Sequence, residues 1–117
     1  MGQLTTHVLD TSAGLPAAGV RVELRELATA AHEMLASVVT GEDGRCAAPL
    51  LSGPGFRAGR YALTFHVAQY FRSRGLALPE PAFLENVVVQ FGIARPDEHY
   101  HVPLLISPWS YSVYRGG

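Results

Sequence analysis

The 117-residue chain is 48% hydrophobic, with nine Arg, no Lys, ten acidic residues and a net charge of −1. This balance excludes a disordered chain and a nucleic-acid binder working by bulk charge, and the length suits one domain spanning residues 1–117. The lone Cys46 excludes an intrachain disulfide, no apolar run approaches the roughly 18 residues of a membrane span, and the first residues lack signal-peptide features, so a cytoplasmic protein is expected. Charged residues are only 16% of the chain, against about 25% in a typical soluble domain. So sparse a charge cover implies that part of the surface is buried between subunits.

Residues 4–9 read as a first strand, followed by turn signals over 10–16. In Val20-Arg21-Val22-Glu23-Leu24-Arg25 apolar and charged residues alternate strictly, which predicts a half-buried strand with Val20, Val22 and Leu24 inward. A less marked strand covers 33–40. Asp43-Gly44 then predicts a hairpin, with Arg45 first after the turn. Beyond Gly53-Pro54-Gly55, the run from Tyr61 to His66 alternates again. Val67, Tyr70 and Phe71 recur at i, i+3 and i+4, Arg72 and Arg74 follow, and Gly75 supplies a stop, which predicts a two-turn helix. Val87-Val88-Val89-Gln90-Phe91-Gly92-Ile93 and Tyr100-His101-Val102-Pro103-Leu104-Leu105-Ile106 are further strands, the second needing an edge or bulge at Pro103. A last strand covers 110–114. Many short strands and one short helix predict an all-β sandwich.

Five His residues are candidates for chemistry, because their ordinary pKa near 6.5 suits proton transfer at neutrality. His99 and His101, two apart, share one strand face, and His7 shares a face with Thr5. His32 and His66 sit in unremarkable contexts. His-x-His with a third His also matches the ligand set of some zinc centres, but the third ligand would have to come from a distant strand. Arg45 offers a planar fork of donors for carboxylate or imide oxygens. Arg115 lies among Tyr114, Gly116 and Gly117, where the glycines allow close backbone approach. Cys46 has no activating neighbour in sequence and reads as a small buried filler.

Taken together, the two ends of the chain resemble one family. Thr6-His7-Val8-Leu9-Asp10-Thr11 with Gly14-Leu15-Pro16-Ala17-Ala18-Gly19-Val20, and the run from His99 through Pro108-Trp109-Ser110 to Ser112, resemble the 5-hydroxyisourate hydrolases, the transthyretin-related enzymes of urate breakdown. Asp43-Gly44-Arg45, Gly59-Arg60-Tyr61 and the closing Tyr114-Arg115-Gly116-Gly117 fit the same pattern. The resemblance implies a transthyretin-like sandwich of two four-stranded sheets. It also implies a homotetramer, a dimer of dimers with sites at the dimer–dimer interface and no nucleic-acid or membrane partner. The implied reaction converts 5-hydroxyisourate to 2-oxo-4-hydroxy-4-carboxy-5-ureidoimidazoline without metal or organic cofactor. The catalytic set carried over is His7, Arg45 and His101. Tyr114, Arg115, Gly116 and Gly117 help line the site; His99, from its shared strand face with His101 rather than from the resemblance, is expected to support substrate binding beside it. Two departures stand out, Gly117 where the family usually ends in Ser and Val113 where it often has Thr.

The chemistry implied is attack of water on a ring carbonyl. His7 and His101 would share water activation and proton transfer, and Arg45 would stabilise the developing oxyanion. The rival reading is a transthyretin-like carrier of small ligands, which would call for apolar residues at those positions.

Overall fold

The computed structural model describes residues 2–28 and 30–116. Nine strands and one helix follow in chain order: β1 (Gln3–Asp10), β2 (Leu15–Pro16), β3 (Arg21–Glu26), β4 (Met34–Val39), β5 (Leu51–Ser52), β6 (Gly59–Phe65), α1 (Val67–Ser73), β7 (Val87–Ile93), β8 (Tyr100–Ile106) and β9 (Tyr111–Val113). One sheet has the order β4-β3-β6-β7, all antiparallel. The other runs β2-β1-β8-β9, with β5 also on β1. The two-residue strands β2 and β5 take opposite ends of one β1 edge, at Leu9–Asp10 and Gln3–Leu4, so this sheet too is four strands wide.

Alternation in sequence becomes the two sides of each sheet. Leu4 and Val8 of β1 and Tyr100, Val102, Leu104 and Ile106 of β8 face inward against Val22, Leu24, Leu63, Phe65, Val87 and Ile93 of the other sheet. Burial of a side chain such as Leu63 or Phe65, both fully enclosed, stabilises the fold by about 1.5–3 kcal/mol. Polar groups that enter this layer are paired. Thr6 Oγ1 donates to the Val102 carbonyl at 2.6 Å, and Thr40 Oγ1 donates to the Ala17 carbonyl at 2.7 Å.

Helix α1 buries Val67, Ala68, Tyr70 and Phe71 and ends where Gly75, at φ +88°, turns its N–H back to the Arg72 carbonyl. It is fastened to the sheet of β1 and β8 through the buried Asp10. Tyr70 Oη donates to Asp10 Oδ2 at 2.9 Å, while Ser12 and Ala13 occupy Oδ1. No helix of the described residues is long and apolar enough to cross a membrane.

The turn at Asp43-Gly44 forms, but it is not the expected hairpin. Strand β4 ends at Val39 in one sheet, and Arg45 then bridges to His7 in the other. The turn therefore passes the chain between layers. Pro103 is accommodated by an interruption. The β8–β9 ladder stops at Leu104–Val113 and resumes only at an isolated His101–Gly116 bridge, leaving no ladder where Tyr114 passes Pro103.

Candidate active site

Residues that alternate away from the core form the outer face of the sheet that holds β1 and β8. Strands β1 and β8 pair in parallel, with Thr5 beside His101 and His7 beside Pro103. Two histidines from opposite ends of the chain thus lie on one face, a strand apart. Arg45 reaches the same face through the turn before it. Gly44 N donates to the Gly41 carbonyl at 2.9 Å, Gly41 N to the Arg45 carbonyl at 2.8 Å, and Arg45 N to Asp43 Oδ1 at 3.0 Å. Val8 N donates to the Gly44 carbonyl at 2.9 Å and fastens the turn to β1. Gly44 sits at φ +78°, and a Cβ there would run into the Val8 carbonyl oxygen and the His7 ring, so this close approach requires glycine.

Hydrogen bonding orients both rings. His7 Nε2 lies 2.7 Å from the Asp43 carbonyl oxygen. A carbonyl only accepts, so Nε2 carries the proton that makes this contact. His101 Nδ1 lies 2.8 Å from Thr5 Oγ1. Burial lowers the pKa of His101 below its ordinary 6.5, and the neighbouring Arg45 and His7 act the same way, with hydrogen bonding to the Thr5 backbone opposing them. His101 is therefore neutral at neutral pH. Cys46, beside Arg45, is displaced upward by burial and by Asp43, so its thiol stays protonated.

An open cleft of about 540 Å³ collects Thr5, Arg45, Cys46, His99 and His101. His99 is exposed and lines this cleft from the end of β8. Tyr114 is 57% exposed, opposite Pro103. Gly116 N donates to the His101 carbonyl at 2.7 Å, laying the tail backbone beside the imidazole. The Arg115 guanidinium is held by Glu98 Oε1 at 3.1 Å and the His99 carbonyl at 3.0 Å, 4.0 Å above the Tyr100 ring centroid. Gly117 lies outside the described residues. His32 and His66 are elsewhere, His66 being bonded to Glu23 at 2.9 Å. Among the described residues, no three His, Cys, Asp or Glu side chains converge in an arrangement that could hold a metal ion.

Three participants escaped sequence reasoning. The Asp43 carbonyl that holds His7 is a backbone group with no signature. Thr5 was visible only as a neighbour of His7 on the strand, since its partner lies 96 residues away. Glu98 carries no sequence signal that ties it to Arg115, 17 residues further on.

The chain belongs to the HIUase/Transthyretin family, whose profile matches residues 4–116. It is 55% identical over 116 residues to the 5-hydroxyisourate hydrolase of Pseudomonas aeruginosa, covering 99% of this chain and 92% of that protein. The structure is similar to that of the Klebsiella pneumoniae 5-hydroxyisourate hydrolase, with TM-score 0.83, 37% identity and full coverage of both chains. It is also similar to sea bream transthyretin in complex with thyroxine, with TM-score 0.84 and 30% identity, covering 97% of this chain and 94% of that one.

Proposed function

We propose that this chain hydrolyses 5-hydroxyisourate, with His101 as general base, Arg45 as oxyanion stabiliser and His7 as the second proton-transfer group. The observation that carries the reading is His101 facing a cleft it shares with Arg45, with His7 bridged to Arg45 alongside; burial and the neighbouring Arg45 favour the neutral imidazole. In the tautomer whose Nδ1–H donates to Thr5 Oγ1, Nε2 is the acceptor that takes a proton from water. The hydroxide adds to the ring carbonyl, and negative charge gathers on its oxygen beside the Arg45 guanidinium. Collapse breaks the carbon–nitrogen bond. The carbon becomes a carboxylic acid, which releases its proton to solvent as the carboxylate forms, and the leaving nitrogen takes the proton from the imidazolium. General-base assistance of this kind contributes about 10²–10⁴-fold. His99, Tyr114, Gly116 and Gly117 are assigned to binding the oxygen-rich substrate.

The proposal includes a homotetramer, a dimer of dimers. The cleft is open in a single chain and Arg45 is exposed, so a facing subunit would exclude water and strengthen the electrostatics. The curated relatives named as 5-hydroxyisourate hydrolases support the substrate. A carrier of apolar ligands is disfavoured because charged and imidazole side chains stand on this face.

Freshly generated 5-hydroxyisourate is followed by ultraviolet absorbance with and without the protein, in chelating buffer, alongside light scattering. Accelerated decay that survives chelation and is lost in His101→Ala is expected, on a tetramer. An unaccelerated reaction would move ligand carriage to first place, and an active monomer would overturn the shared-site part.

A further inference from the structure

The C-terminal tail touches the proposed base through its backbone. A Cβ built on Gly116 would stand 2.9 Å from His101 Cδ2 and 3.4 Å from Pro103 Cγ, so the glycine backbone packs directly on the ring edge. Strand pairing does little to hold it there. The ladder lapses at Tyr114, opposite a proline with no N–H to give, and resumes at one bond, Gly116 N to the His101 carbonyl. Arg115 lies between these two points and points the other way. Its guanidinium meets Glu98 at 3.1 Å and the His99 carbonyl at 3.0 Å, and stacks 4.0 Å from the Tyr100 ring centroid. That ring is itself fixed, because the Tyr100 hydroxyl accepts from the Ala94 and Arg95 amides at 3.1 and 3.0 Å. A rigid anchor thus stands beside a loosely laddered tail.

We propose that Arg115 is a positioning residue, a latch on Glu98 and Tyr100 that keeps Gly116 against His101 and so sets where the imidazole points. Its guanidinium serves this purpose rather than a substrate oxygen. The kinetic arm of the test rests on the hydrolase reading, and the spectroscopic arm does not.

The test compares Arg115→Ala, Arg115→Lys, Glu98→Gln and Gly116→Ala in the full chain. The control is Arg57→Ala, which removes a comparable exposed pair with Glu26 at 3.2 Å on the other sheet. Steady-state kinetics on 5-hydroxyisourate are measured beside the NMR signals of the His101 ring. Arg115→Ala is expected to lower kcat on the order of tenfold, about 1.4 kcal/mol, while KM stays within about twofold. The same variant shifts or broadens the His101 ring signals. Glu98→Gln gives a smaller change of the same kind, and Arg115→Lys recovers part of the loss. Gly116→Ala displaces the ring signals with Arg115 still in place, and Arg57→Ala changes nothing. Unchanged ring signals and kcat in Arg115→Ala would overturn the latch, as would a rise in KM alone, which would make Arg115 a substrate contact. Should the wild-type protein fail to hydrolyse 5-hydroxyisourate while Arg115→Ala still moves the His101 signals, the latch stands and the hydrolase reading falls.

Discussion

Replacing Thr5 with Val leaves the shape of β1 nearly unchanged but deletes the hydroxyl that meets His101 Nδ1 at 2.8 Å. The ring is half-buried beside an open cleft, so water takes over part of the lost contact and the full cost of an orphaned polar group is not reached. The net worth of one such hydrogen bond is about 0.5–1.5 kcal/mol. If that orientation is realised in the transition state, kcat falls about two- to thirteenfold at about 1.4 kcal/mol per decade. Stopped-flow absorbance on 5-hydroxyisourate reads the change, and KM is expected to hold because the hydroxyl is engaged by His101 rather than by substrate. Thr5→Ser keeps the hydroxyl and is expected to stay close to wild type. Wild-type kcat in Thr5→Val would refute the reasoning. So would equal damage in Thr5→Ser, which would trace the effect to the methyl group's packing.

Arg45→Gln is expected to lower kcat by about 10²–10³-fold, the usual cost of losing an oxyanion donor. It should also move the acid limb of the pH–rate profile upward. Activity needs neutral His101 and is lost as pH falls through its pKa, which lies below 6.5 partly because of the Arg45 charge, so removing that charge returns the pKa toward 6.5. The same depression means that His101 contributes stability above pH 6.5 that is lost as pH falls toward the folded-state pKa, as urea titrations across that range will show. Gly44→Ala places a side chain at φ +78° against the Val8 carbonyl and His7. A loss of about 2 kcal/mol in urea unfolding is expected, with activity falling further because the turn carries Arg45 and the carbonyl that holds His7. Tyr70→Phe leaves Asp10 Oδ2 without its 2.9 Å donor inside the sandwich, which costs about 1–3 kcal/mol. In a chain of 117 residues that is a drop of roughly 4–12 °C in Tm by calorimetry, with kcat unchanged because the pair lies on the inner face.

Much of this architecture is legible without coordinates. Strict alternation in Val20 to Arg25, and large residues at the odd positions of Tyr61 to His66, dictate which large side chains turn inward, since a strand has period two whatever it pairs with. The 3.6-residue spacing of Val67, Tyr70 and Phe71 and the positive φ available to Gly75 likewise determine where α1 forms and stops. The family pattern, at the two chain ends for His7 and His101 and at Asp43-Gly44-Arg45 between them, points to His7, Arg45 and His101 as the residues to watch.

Periodicity sets a side chain's face but is silent about its neighbour. That Thr5 lies beside His101 follows from parallel pairing of β1 with β8, which closes a loop of more than ninety residues and is selected by burial of both strands' inner faces. The Asp43-Gly44 turn has the same local chemistry whether it joins two strands of one sheet or crosses between layers. Only packing sends it to the edge of β1 and puts Arg45 beside His7. Arg115 could turn its guanidinium either way from an irregular tail, and the anchor that captures it, Glu98 with the Tyr100 ring, exists only once β8 is in place. Local sequence determined the elements and their faces through backbone geometry; long-range burial decided which faces meet, and therefore where the imidazoles and guanidinium converge.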